Sequence, residues 1–306
     1  MIKLFIFFVL MCFSGACHKK GNGTGKNISY LISPFQTDPD YATTDESHYI
    51  VRNNKTHLNK LLLFIGGSYS IPKNYALFCD HGATLGLDVI SLSYPNKVAT
   101  APLGSSADPQ VFDHYRNELC FGNQVSDVVS VDLLNCITTR TIKLLIYLNV
   151  TYPDQDWRQY LSPSNTLIWD KIIVAGHSQG SGHACYLGKK NRVDRVIMLS
   201  GPNDYSTYYS SPANWLSETG LTPLNRQFSL LHTQDEIVSF DNQVANLRSL
   251  GLLTATQSPT PADNLSTPYF NAHALSLHIP AISYHSSTVG ANPILPAIWT
   301  YLLTTP

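Results

Sequence analysis

Residues 171–190, KIIVAGHSQGSGHACYLGKK, restrict what this chain can fold into more than any other stretch. The β-branched apolar run from Ile172 to Val174 reads as a buried strand. Gly176-His177-Ser178-Gln179-Gly180 follows, and a helix-compatible segment continues through Tyr186 and Leu187. Strand, G-x-S-x-G and helix, in that order, form the context of a nucleophile elbow. A sharp strand-to-helix turn strains the serine backbone, and residues without a β-carbon on either side let neighbouring chains approach. The hydroxyl then projects at the C-terminal end of the strand, above a helix N-terminus whose free N–H groups favour negative charge on a substrate oxygen. The motif is short and made of common residues, so the rest of the chain must supply its partners.

The chain has 306 residues, 43% hydrophobic and 11% aromatic, enough to bury a large core within one α/β domain. Charged residues are 13% and the formal net charge is −1, so there is no basic field to hold nucleic acid and no acidic binding arm. No repeat of 20–50 residues and no long low-complexity tract occurs.

The N-terminus reads as a targeting segment. Lys3 supplies positive charge, residues 4–13 form an apolar run too short to span a bilayer, and Ser14-Gly15-Ala16 is a small-residue cleavage site. Cys17 follows at once, an arrangement that resembles a bacterial lipoprotein signal with Cys17 as the lipidated first residue and anchor to a membrane. Ser14 stands where such signals usually carry leucine, and ordinary cleavage after Ala16 would leave a secreted protein instead. The expected organisation is a signal peptide over 1–16, a polar tether over 17–27 and one domain over 28–306. The Gly-rich stretch 21–25 precedes no Walker lysine and belongs to the tether.

Outside the signal, Cys79, Cys120, Cys136 and Cys185 remain, which in an oxidising compartment predict up to two disulfides with three possible connectivities. With no C-x-x-C pair, zinc and thioredoxin chemistry find no support. Asn27, Asn149 and Asn264 head glycosylation sequons that matter only in a eukaryotic host.

Along the chain, strands are expected at 27–33, 49–52, 60–65, 87–92, 172–174, 193–199, 227–232 and 273–279, and helices at 73–86, 125–149, after the elbow, near 240–250 and at 293–303. The run KLLLFI at 60–65 has the continuous apolar character of a strand covered on both faces. Two irregular excursions, 97–123 and 203–225, interrupt the alternation and are expected to frame a pocket. Alternating strands and helices predict an α/β fold around a mostly parallel sheet.

With an acid after a later strand and a histidine after the last one, the chain resembles the α/β-hydrolase superfamily over nearly all of its mature length. The order Ser178, Asp235, His285 is that family's Ser…Asp/Glu…His order. Ser93-Tyr94-Pro95-Asn96, Ser200-Gly201-Pro202 and Tyr284-His285-Ser286-Ser287 further resemble a little-characterised bacterial branch of exported hydrolases. The resemblance implies an eight-stranded-type sheet covered by helices on both faces and a small-molecule ester as substrate. The sequence carries no cofactor motif, and no protein partner is inferable from it.

Acyl-transfer chemistry then assigns roles. A neutral serine hydroxyl needs a base, for which His285 is the candidate, and a carboxylate to orient that base. The resemblance implies oxyanion donors at the backbone N–H of Gln179 and at Gly67, with Ser68 as its neighbour; Ile65-Gly66 stands where the family often has His-Gly. His183, His232, His273 and His278 compete with His285, although their places in helix or strand suit packing better. Glu236 and Asp204 compete with Asp235 for the acid. Tyr205, Tyr208, Tyr209 and Trp215 form an aromatic cluster that suits either a subsite or ordinary packing. The expected activity is hydrolysis of a carboxylic ester through a Ser178 acyl-enzyme; the alternative is a catalytically silent surface binding module.

Overall fold

The structure, a computed structural model, describes residues 25–42 and 45–305. The expected signal peptide, Cys17 and the tether through residue 24 lie outside the described residues.

Each central strand is a short run of Leu, Ile and Val that can be buried on both sides. Two strands open the chain, β1 (Asn27–Ile32) and β2 (His48–Asn53), with the one-turn helix α1 (Pro34–Thr37) between them. There follow β3 (Leu61–Ile65), α2 (Ala76–Thr84), β4 (Asp88–Leu92), α3 (Val111–Phe121) and α4 (Ile137–Thr151). The elbow unit is β5 (Ile172–His177) and α5 (Gln179–Lys190), and β6 (Arg195–Leu199) comes next. A hairpin of β7 (Tyr205–Ser206) and β8 (Ser211–Pro212) precedes β9 (Gln227–His232) and α6 (Phe240–Leu250). The chain closes with β10 (Thr260–Pro261), β11 (Ala274–Leu277) and α7 (Leu295–Thr304).

One sheet runs β1-β2-β4-β3-β5-β6-β9-β11-β10. β2 is antiparallel to both β1 and β4, and every other pair is parallel. The sheet is thus the expected mostly parallel one, an α/β-hydrolase fold, with the two-residue β10 as a ninth strand at the edge. Period-two alternation divides the core. Leu61, Leu63 and Ile65 pack with Tyr115, Leu144, Leu148 and Leu187 of α3, α4 and α5. Leu62 and Phe64 pack on the opposite face with Phe78, Ile298, Trp299 and Leu302 of α2 and α7. The order reverses between β4 and β5 on either side of β3, and ligands of open α/β sheets bind above such a switch point.

Three expectations are corrected. The excursion 97–123 contains α3, whose Phe112, Tyr115 and Leu119 are buried while Asp108 and Gln110 before it stay exposed. The helix expected over 125–149 begins only at Ile137. Before it, the buried Glu118 carboxylate accepts hydrogen bonds from the N–H groups of Val125 (3.0 Å), Ser126 (2.8 Å) and Val131 (2.7 Å), so an irregular loop is satisfied without helical bonds. The expected disulfides are absent: Cys79, Cys120, Cys136 and Cys185 are all free and buried. Cys79 packs in the core on one face of the sheet and the other three in the core on the opposite face, and Cys136 is spent as N-cap of α4, its Sγ accepting from Thr139 N–H.

The elbow glycines are sites of close approach. A Cβ on Gly176 would lie 2.1 Å from the carbonyl oxygen of Gly180, and one on Gly180 would lie 2.0 Å from that of Ile65. Both obstacles are backbone and cannot rotate away. Gly180→Ala is therefore expected to destabilise the fold by about 3 kcal/mol, read from the urea midpoint. Gly290→Ala, where the nearest atom would be 3.4 Å away, serves as the nearly neutral control.

Candidate active site

Ser178 sits between β5 and α5 at φ 56°, ψ −123°, a conformation that costs a non-glycine residue energy and that the surrounding backbone must impose. Its N–H donates to Leu199 O at 2.9 Å, and its carbonyl accepts from Ser181 N–H at 3.0 Å. Ser178, His177 and His285 line one cavity of about 790 Å³, together with residues of both excursions, Ala99 to Ala101 and Asn203, Tyr205 and Thr207.

His285 begins a short 3-10 turn after β11 and is almost fully fixed. Its Nδ1 faces Asp235 Oδ2 at 2.7 Å, and its backbone N–H donates to Glu236 Oε2 at 2.9 Å. Its carbonyl accepts from Ser200 Oγ at 2.6 Å and lies 3.0 Å from His177 Nε2. A carboxylate only accepts, so the proton of the neutral ring lies on Nδ1 and Nε2 keeps the lone pair.

Asp235 is saturated with donors. Oδ1 accepts from the N–H groups of Ile237 and Val238, each at 2.9 Å, and Oδ2 accepts from Gln243 Nε2 at 3.0 Å besides His285. Burial pushes its pKa up, but His285 and the two N–H groups outweigh it and hold the carboxyl below its ordinary value. The competing acids are accounted for. Glu236 binds the His285 backbone and Ser283 Oγ, and Asp204 is fully buried with Arg116 and Trp215, not a histidine, as its side-chain partners. Arg116 Nε and Nη2 donate to the two Asp204 oxygens at 3.0 and 2.5 Å, while Nη1 donates to the carbonyl of Gln179 at 2.7 Å. Trp215 Nε1 donates to the same aspartate at 2.9 Å.

The other histidines have separate environments. His183 is buried and stacked on Tyr115, and His232 spans Ile279 O and Gln234 N–H. His273 lies on Phe228, and His278 pairs with Asp263 on the surface. Of the aromatic cluster, Tyr205 alone lines the cavity; Trp215 is core, and Tyr208 and Tyr209 are exposed.

The loop after β3 corrects the assignment of Gly67 as an N–H donor to the cavity. Its N–H donates inward to Tyr75 OH at 2.8 Å. The residue still packs on the serine, since a Cβ there would lie 3.1 Å from Ser178 Cβ. The next N–H, that of Ser68, has no acceptor among the described residues, and neither does that of Gln179 at the first position of α5. The Gln179 side chain holds the two together, accepting from Ser68 Oγ at 2.5 Å.

Tyr75 and His177 escaped the sequence reading, and together they connect this loop to His285. Burial above all depresses His177 to about 4, with the neighbouring imidazole of His285 adding to the shift, so its ring is neutral. The His285 carbonyl only accepts, so the His177 proton is on Nε2 and its Nδ1 is bare. Tyr75 OH, 3.4 Å away, therefore donates to His177 Nδ1 while accepting from Gly67. With a neutral His177, each bond from Gly67 to His285 has one direction that matches its donors and acceptors. The one hint in the sequence was the histidine directly before the serine.

No protein-family model matches the sequence, and no curated protein does either. The solved structures to which the chain is distantly similar include the following two. TT1662 from Thermus thermophilus is 13% identical, with 91% of this chain and 97% of that one covered and a TM-score of 0.44. A "Putative Dienelactone Hydrolase" from Klebsiella pneumoniae is also 13% identical, with 86% and 93% covered and a TM-score of 0.43.

Buried neutral histidines make stability depend on pH. Burial holds His48 at about 3 and His177 at about 4, both below the ordinary 6.5. The unfolded chain takes up these protons first, so stability is full above pH 6.5 and is lost as pH falls from there towards 4. The expected slope is up to about 1.4 kcal/mol per pH unit for each histidine. Denaturant titrations at pH 7, 6 and 5 measure it, and equal stabilities at all three would contradict the assignment.

Proposed function

We propose that the protein is a serine hydrolase that cleaves a carboxylic ester through an acyl-enzyme on Ser178. The observation that carries the reading is the restraint on His285. Its N–H, C=O and Nδ1 are all engaged, and Nε2 is the remaining polar atom of a residue that shares a cavity with a strained serine.

In this reading Ser178 Oγ transfers its proton to His285 Nε2 as it bonds to the ester carbonyl carbon. Asp235 stabilises the imidazolium so formed. The negative charge on the carbonyl oxygen is received by the N–H groups of Ser68 and Gln179, and each such donor is worth about 3–4 kcal/mol in transition-state stabilisation. Nε2–H then protonates the departing alcohol, and water repeats the sequence on the acyl-enzyme. Gly67, Tyr75 and His177 are positioning residues that set the spacing between the donors and the base. Preference for an ester over an amide follows the α/β-hydrolase resemblance, as does the placement among exported bacterial hydrolases. Export, and anchoring through Cys17, belong to the same reading and rest on the sequence of residues 3–17.

A fluorophosphonate probe tests the reading. Wild type is expected to label, and Ser178→Ala and His285→Ala to abolish labelling. Tyr75→Phe keeps the ring against Phe64 but removes the bridging oxygen, and kcat is expected to fall roughly 10–100-fold with a smaller change in KM. Folded wild type that resists the probe would sink the proposal and favour a binding module.

A further inference from the structure

The walls of the Ser178 cavity carry no formal charge. Among the described residues that line it there is no Asp, Glu, Lys or Arg. The neighbouring acids are engaged by protein donors, Asp235 by four and Glu236 by the His285 N–H and Ser283 Oγ. Arg116, which bonds to the Gln179 carbonyl, is wholly buried under the elbow helix. The lack of charge is local. A neighbouring cavity of about 740 Å³, on the other side of the loop after β3, is lined by Asp45, Glu46, Lys97, Asp127 and Arg140. The two cavities share Tyr69 and Ser70.

Around the mouth of the Ser178 cavity stand three large apolar side chains in water: Tyr69 is 69% exposed, Leu77 51% and Ile237 65%. They come from three separate segments, the loop after β3, helix α2 and the turn after β9. Tyr69 is held there by backbone: it has φ 59°, and its N–H donates to Asn96 O at 3.1 Å. A bulky residue in the left-handed region is rare, and here it stands on the ridge between the two cavities. Single exposed apolar residues need no explanation, but three that line one cavity with a candidate nucleophile call for one.

We infer that the ester acted on at Ser178 is uncharged and carries an apolar chain that lies across the collar of Tyr69, Leu77 and Ile237. The inference rests on the serine-hydrolase reading above. A charged group entering this cavity would lose its hydration without meeting an opposite charge, which selects against anionic and cationic substrates alike. An alkyl chain, in contrast, removes both its own surface and that of the collar from water. Each methylene that reaches the collar raises kcat/KM by about threefold. The polar lining residues Asn74, Asn203 and Asn242 supply neutral hydrogen bonds without changing this preference.

The experiment compares p-nitrophenyl acetate, butyrate, hexanoate and hemisuccinate on the mature chain, with active sites counted by fluorophosphonate. Hexanoate is expected to exceed acetate in kcat/KM by roughly tenfold or more, and butyrate to exceed the similarly long but anionic hemisuccinate by a similar factor. Leu77→Asp with Ile237→Asp, at exposed positions where folding is not at stake, is expected to bring the hexanoate-to-acetate ratio towards one. A labelled enzyme with a flat chain-length profile, or one preferring hemisuccinate, would overturn the inference while leaving the hydrolase reading intact. An enzyme that fails to label would remove the hydrolase reading and the substrate class with it.

Discussion

The contact on which the other features depend is that between the first turn of α5 and the end of β3. Gly180 lies so close to the carbonyls of Ile65 and Gly66 that no β-carbon fits between them. This approach pulls the elbow helix over the switch point of the sheet and imposes the unusual backbone angles of Ser178. It also brings the loop after β3 against the serine, where Gly67 touches it and Ser68 meets Gln179. Without that proximity the candidate oxyanion donors would belong to two unrelated loops.

A second layer of order comes from polar groups that have only one satisfactory arrangement. The neutral His177 must donate to the His285 carbonyl, which leaves Tyr75 to donate to His177 and to accept from Gly67. Asp235 takes four donors and can accept no more, so it fixes the imidazole of His285 in one tautomer and one plane. What distinguishes this region is that three loops, from β3, β5 and β11, are joined by bonds whose direction is determined.

The strands were legible because Leu, Ile and Val runs covered on both faces leave a plain signal: 227–232 and the elbow strand fall where the residues suggested. Ser178, Asp235 and His285 were legible as candidates because each follows a strand in the order one chemistry uses. The two errors of secondary structure have a common physical cause, buried charge acting on backbone. Glu118 and Arg116 lie fully buried in α3, a segment polar enough to read as loop, and Glu118 in turn satisfies a loop that had the apolar spacing of a helix. Gly67 was assigned wrongly for a different reason. Nothing in its own neighbourhood of the sequence says that a tyrosine eight residues later takes its N–H. The cysteines followed compartment logic, yet the sheet lies between Cys79 and the other three.

The Arg116–Asp204 pair gives the two excursions a common fate. Arginine comes from one, aspartate from the other, and the third guanidinium nitrogen rests on the carbonyl of the residue after Ser178. Loops around a reaction centre are usually the freely exchangeable part of an enzyme, altered one at a time as lineages diverge. Here exchange of either loop alone would strand a full charge under the elbow. Descendants of this scaffold are therefore constrained to inherit both loops together, or to replace arginine and aspartate in a single step, and a chimera built from one loop of a relative would inherit the defect.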